Sequence, residues 1–226
     1  MTLYLTEVAD ARAFGSVPTD DDGRVLAFLE KTPEPITNQI NAGTYVFQRS
    51  VVEGIPTGRA VSVEREVFPG LLEAGARVCG HLDHGYWRDL GTPADFILGS
   101  ADLVRGLVPS SALPGPVGDA LVVGGAVVAY RAQVTGGSTI GAGSVIGAGA
   151  VVDGSVVFDG ARIEPEAHVR RSAIGAGAVI GAGAVIEDAV IGDGAQIGSG
   201  NELRAGVRIW PGTVVEPDSI RFSAPS

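Results

Sequence analysis

The chain carries one cysteine, Cys79, in 226 residues. That excludes a disulfide framework and any multi-cysteine metal cluster, leaves stability to packing, and suits a reducing cytoplasm. Basic charge is also scarce. Sixteen Lys and Arg stand against 26 Asp and Glu, a formal net charge of −10, so nucleic acid and anionic membrane surfaces are poor partners. The opening MTLYLTEVADARAF has no basic segment followed by a long apolar one, so a secretory signal is not expected. One stretch, Ala132 to Val152, is free of charge and long enough on paper to span a bilayer, which takes about 20 residues. Yet it contains Gln133, Thr135, Ser138, Thr139 and Ser144, and glycine recurs through it.

Glycine is what the chain has in excess. Its 34 glycines are about twice ordinary usage, while hydrophobic residues reach 45% and mean hydropathy is positive, which argues for a folded protein using glycine structurally. From Gly137 the sequence falls into four gapless segments of 17 residues: GSTIGAGSVIGAGAVVD, GSVVFDGARIEPEAHVR, RSAIGAGAVIGAGAVIE and DAVIGDGAQIGSGNELR. Three columns are aliphatic in every row: Ile140, Val157, Ile174, Ile191; Ile146, Ile163, Ile180, Ile197; and Val152, Val169, Ile186, Leu203. Steps of six, six and five describe three short edges and three corners, which is neither helical nor hairpin spacing. The pattern predicts a parallel β-helix of hexapeptide repeats, in which stacking at about 4.8 Å turns the columns into internal ladders.

Gly141, Gly147, Gly175, Gly181, Gly192 and Gly198 follow the inward residues, as expected at corners. Flanking columns such as Val151, His168, Val185 and Glu202 are mixed and are expected to face solvent. The pattern extends upstream through Val123, Val128 and Val134 and downstream through Ile209 and Val215, with Trp210 and Pro211 breaking the rhythm as a terminal cap would.

Residues 1–106 have a different, α/β texture. Strands are expected at TLYLTEV, at RVLAFLEK after a turn at Asp20, Asp21, Asp22 and Gly23, at NAGTYVF as a buried strand, and at ARVCGHLD. Helices are expected at SVEREVFPGLLEAG and at PADFILGSADLVRG, which Pro93 opens. The three aspartates read as a solvated turn rather than a metal site. Glu64 and Glu66 read as opening a helix, where carboxylates suit the dipole. His81, His84 and His168 lack metal-ligand spacing and read as surface residues. Residues 107–120, with three prolines, read as a linker, 121–217 as the β-helix and 218–226 as a tail.

FLEKTPEP, NQINAGTYVF, SVEREVFP and GYWRDLGTP follow one another in one order ahead of the solenoid. With them the chain resembles the sugar-phosphate nucleotidyltransferases, and within these it is most similar to the mannose-1-phosphate guanylyltransferases. The resemblance implies a partial α/β nucleotidyltransferase domain followed by a left-handed parallel β-helix of hexapeptide repeats; the hand comes from the resemblance alone. It implies a reaction of sugar 1-phosphate with a nucleoside triphosphate, mannose 1-phosphate with GTP, giving a nucleotide sugar and pyrophosphate with Mg²⁺ as cofactor.

Position by position, the resemblance makes Glu30 an acceptor for sugar hydroxyls and Lys31 a partner of the sugar phosphate. Gly15, in AFGSV, would lie with its backbone against the sugar, Asn41 near the sugar pocket and Gly43 where close approach is needed. Asp89, in YWRDLGTP, would be a magnesium ligand, with Trp87 packing the wall behind it. Adjacent strand residues normally face opposite ways, but Thr32 and Pro33 end the strand, so that Glu30 and Lys31 could reach one ligand.

The family's glycine-rich triphosphate loop with its basic residue, and its first magnesium aspartate, have no counterpart in these 226 residues. This suggests a truncated or split form or an internal start codon, inactive alone. A homo-oligomer assembled through the β-helix is expected. Two other functions follow from other readings: a non-catalytic regulatory or assembly subunit binding nucleotide sugar, and, from the solenoid, an acyltransferase using His168 as base.

Overall fold

The computed structural model describes residues 1–113 and 117–221. Part of the expected linker, 114–116, and part of the expected tail, 222–226, lie outside the described residues. The chain divides into two compact units, Met1–Trp87 and Arg88–Ser226.

The first unit is built on a five-stranded sheet of order β3-β2-β4-β1-β5. Its strands are β1 (Thr2–Glu7), β2 (Gly15–Ser16), β3 (Leu29–Glu30), β4 (Gln39–Val46) and β5 (Cys79–Leu82). Strand β1 pairs antiparallel with β4 and parallel with β5. Leu3, Leu5, Val17, Val25, Phe68 and Val78 form its core. Among the charged groups of this sheet, the Tyr4 hydroxyl donates to Asp83, raising the phenol's pKa and lowering that of the carboxyl.

Three expectations for this unit change. The strand expected over RVLAFLEK shrinks to β3, with isolated bridges Thr19 to Val25 and Arg24 to Cys79, because its partner β2 is only two residues long. Strand β4 is half-exposed rather than buried: it follows β1 along its length, but β2 meets it only at Ile40. The helix expected over 62–75 is a wide-turned segment, Val63–Val67, running into helix α2 (Phe68–Glu73). Pro69 has no N–H to return to the preceding turn, and the Phe68 N–H bonds to Val63 O, one residue further back than in an α-helix. Ser62 caps the segment by accepting from Arg65 N, and Glu66 accepts from Ser62 N. A short helix, α1 (Arg49–Glu53), had no signal in the sequence.

The second unit holds helix α3 (Pro93–Val104), capped by Thr92 accepting from Asp95 N, and a parallel β-solenoid of about six turns. Its strands run from β6 (Ala120–Val122) to β22 (Val214–Val215) in three sheets of six, five and six strands. Pairings such as Ile146 with Ile163, Val152 with Val169 and Val157 with Ile174 stack the columns as their spacing predicts. The ladder residues are buried together with a parallel series of alanines. The uncharged stretch 132–152 is part of this solenoid, and no helix among the described residues is long and apolar enough to cross a membrane.

Three solenoid details differ from expectation. In the first coil the residue in register with Ile140 is Val122, not Val123, because the corner from Val134 to Ile140 takes six residues where the next three take five. The glycines after the inward residues serve close approach rather than bending: a Cβ on Gly175 would lie 2.5 Å from Asp193 N of the next coil, while positive φ falls two residues later, as at Gly177. Finally, one outward column does not face solvent. Val156 and Ala173 are buried, with Val190 packed beside them, under Ile97 of α3.

Candidate functional site

Strand β2 is the centre of the site in the first unit. Gly15 pairs with Glu30 on one side, and Ser16 pairs with Ile40 on the other. The same antiparallel register sets Gly15 beside Asn41. Residues opposite one another across a sheet project from the same face, so Glu30, Gly15 and Asn41 form a row of two polar side chains with a gap between them. The gap is closely fitted to glycine. A Cβ on Gly15 would come within 2.9 Å of Phe28 Cζ and 3.0 Å of Glu30 Oε2.

Lys31 joins Glu30 through an unusual backbone. Its φ of +49° lies in the left-handed region, where the alternation of strand side chains no longer holds, and its N–H donates to Phe14 O at 3.1 Å. The turn brings Lys31 Nζ to 3.9 Å from Glu30 Oε1, with the lysine side chain 64% exposed and the glutamate 20%. The arrangement is a recessed acceptor with a cation at its mouth.

The opposite flank is a hydrogen-bonded cluster. Asn41 Nδ2 donates to Tyr45 Oη at 2.7 Å and to Glu64 Oε1 at 2.9 Å, while Asn41 Oδ1 accepts from Gly43 N at 3.1 Å. Gly43 has φ +81°, a conformation suited to glycine. Burial raises the Tyr45 phenol above its ordinary pKa; the bond from Asn41 opposes this, and the Glu64 and Glu30 carboxylates add to it. The Glu30 contribution links the two flanks electrostatically. Behind them, Trp87 Nε1 donates to Ala42 O at 3.2 Å, and the Trp87 ring meets Phe14 edge-on at 5.7 Å.

The structure thus brings Gly15, Glu30, Lys31, Asn41 and Gly43 into one neighbourhood and adds Tyr45 and Glu64. The sequence marks Glu64 only as a helix opener. Its role depends on contact with a residue 23 positions away, for which no local spacing gives a signal.

Asp89 belongs to the second unit and is exposed, its carboxylate bending over Gly91, where a Cβ would sit 3.0 Å from it. No group of three or more His, Cys, Asp or Glu among the described residues could hold a metal ion by itself. A single hard carboxylate does suit a cation that takes its remaining ligands from phosphates and water. Of the histidines, His81 lies 6.3 Å from the Tyr4 ring, His84 Nδ1 lies 3.8 Å from Glu7, and His168 is half-buried on a solenoid strand.

Chemically, the first unit offers acceptors for hydroxyl donors and, within 3.9 Å of one of them, a cation for an anionic group. That fits a small polyhydroxylated anion.

Residues 1–105 match the family described as nucleotidyl transferase, and residues 117–221 match the GMPPB C-terminal domain. A mannose-1-phosphate guanylyltransferase from Mycobacterium tuberculosis is 55% identical over 225 residues, covering 99% of this chain and 63% of the relative. The mannose-1-phosphate guanylyltransferase catalytic subunit beta of Drosophila pseudoobscura is 36% identical over 126 residues, 54% of this chain and 33% of the relative. The protein of the same name from Danio rerio is 35% identical over 127 residues, 54% of this chain and 35% of the relative. The chain therefore spans less than two thirds of the length of these relatives.

Proposed function

We propose, from the match of residues 1–105 to the nucleotidyl transferase family and of residues 117–221 to the GMPPB C-terminal domain, that the chain serves guanylyl transfer to mannose 1-phosphate. Its first unit would hold the sugar phosphate. The observation that carries this reading is the row Glu30, Gly15, Asn41 with Lys31 turned towards it.

In the reaction, an oxygen of the sugar phosphate attacks the α-phosphorus of GTP; the new P–O bond forms as the bond to pyrophosphate breaks. The chain's residues contribute by positioning and charge, which in-line transfer needs more than a strong base. Glu30, acceptor-only when ionised, orients the sugar through its hydroxyls. Lys31 opposes the phosphate charge, and Gly15 and Gly43 let the ligand approach the backbone. Asp89 is the residue we assign to Mg²⁺, which when bound neutralises phosphate charge. We further propose that the solenoid joins copies of the chain and that the reaction belongs to the cytoplasm.

The test is calorimetric titration of the purified chain with mannose 1-phosphate. Saturable binding that Lys31→Ala weakens at least about tenfold, as loss of a charge-assisted contact should, supports the reading. No binding, or equal binding by the variant, overturns it. For turnover, we expect no GDP-mannose from the 226 residues alone. Joined to the part of the Mycobacterium relative that lies outside the match they should make it, and Asp89→Asn should then sharply lower the rate.

A further inference from the structure

The two ends of an asparagine side chain are nearly the same shape, and turning it over exchanges a donor for an acceptor. At Asn41 the neighbours decide which way it lies. Tyr45 Oη, 2.7 Å from Nδ2, can donate or accept and so decides nothing. The Gly43 N–H can only donate, and it requires oxygen on its side at 3.1 Å. The Glu64 carboxylate can only accept, and it requires nitrogen on the other side at 2.9 Å. Both N–H groups of Asn41 are therefore turned into the protein, and its remaining capacity is an oxygen lone pair. In the row across β2, that leaves Asn41 and Glu30 as two acceptors either side of Gly15.

We propose that Glu64 is a positioning residue for the sugar phosphate: it fixes the Asn41 amide so that the slot presents only acceptors to the hydroxyl groups of the ligand. This rests on the sugar-phosphate reading of the slot. Glu64 can do this because the wide-turned segment Val63–Val67 carries it two residues beyond the Ser62 cap to Asn41 on the sheet. Glu66, two residues on, is used differently, holding Arg59 at 2.8 Å and the Ser62 N–H at 3.2 Å.

Two variants separate positioning from other roles. Glu64→Ala leaves the amide free to turn, whereas Glu64→Gln can still offer Asn41 an acceptor oxygen. Titrated with mannose 1-phosphate, the alanine variant should bind at least about tenfold more weakly than the parent, and the glutamine variant within about threefold of it. An alanine variant that binds like the parent overturns the proposal. A glutamine variant as weak as the alanine one also overturns it, since charge rather than orientation would then be acting.

The Asn41 side-chain NH₂ resonances, identified by their loss in Asn41→Asp, give a readout that needs no ligand. They should shift in Glu64→Ala and stay near their parental positions in Glu64→Gln. Parental positions in both variants overturn the proposal even where no ligand binds. Failure of the parent to bind mannose 1-phosphate, with the resonances behaving as expected, would overturn the sugar-phosphate reading and the role in ligand binding, leaving Glu64 as an orienter of Asn41 alone.

Discussion

Ile163, Ile180 and Ile197 meet one another at intervals of 17 residues, each filling the same place one coil further along. In the first unit, Leu3, Phe68 and Val78 share a core although nothing in their spacing relates them. In the solenoid, burial and strand pairing are one operation repeated, so any coil reports on the next. In the first unit each contact arises once. The candidate ligand site lies in that second kind of structure, where Gly15, Glu30, Asn41 and Glu64 come from four separate segments.

The sharpest way to break the regular region is to charge a ladder. Ile180 is fully buried between Ile163 and Ile197. Ile180→Asp would place a carboxylate there without a partner, at a cost above about 4 kcal/mol. Circular dichroism should show loss of the solenoid's cooperative melt. An unchanged melt would mean that the ladder register is wrong. Nearly all of this region was legible in advance, because one residue type per column at fixed spacing is also the condition for stacking. What escaped was where coils depart from the period, as at Val122, and where α3 covers an outward column through Ile97.

The matching test in the irregular region is Gly15→Ala. The added methyl must displace the Phe28 ring or the Glu30 carboxylate. We expect mannose 1-phosphate binding to fall below detection in a titration, while the melting temperature drops by the equivalent of about 1–3 kcal/mol, as for other overpacking changes. Binding unchanged from the parent would remove the slot from the site. Here the sequence allowed only a partial reading. Glu30, Lys31 and Asn41 were picked out by motif, but their juxtaposition depends on the left-handed turn at Lys31 and on a two-residue strand too short to carry a periodicity. Tyr45 and Glu64 lie in the same motifs, but nothing in their local spacing ties either of them to Asn41.

A milder comparison uses the buried serines of the solenoid. At the corner that the serines share, Ser155 N bonds to Ser138 Oγ, Ser172 N to Ser155 Oγ and Ala189 N to Ser172 Oγ, a hydroxyl ladder running between coils. Ser155→Ala removes the acceptor of the Ser172 N–H, leaving a buried donor unpaired. The expected loss is about 1–3 kcal/mol in denaturant unfolding. A change at the bottom of that range or below would mean that water or a small coil shift replaces the hydroxyl.

The smallest effect belongs to the exposed charges beside that ladder. Arg171 bonds to Asp188 at 2.7 Å and to Glu187 at 2.7 Å, tying one coil to the next at the same corner. Hydrogen bonding to Arg171 holds the Asp188 carboxyl below its ordinary pKa. A carboxyl whose folded pKa is lowered stabilises the fold above its unfolded value, about 3.9, and this contribution is lost as pH falls through the folded value. Since both side chains are about half exposed, at 52% and 49%, solvent screening keeps the bridge to within about 1 kcal/mol. Arg171→Ala should therefore melt slightly below the parent at pH 7. The gap should narrow once the pH drops below about 4 and also shrink in 1 M salt, where the Debye length is about 3 Å. A gap that persists under both conditions would mean that Arg171 acts by packing its aliphatic stem on the coil rather than by its charge.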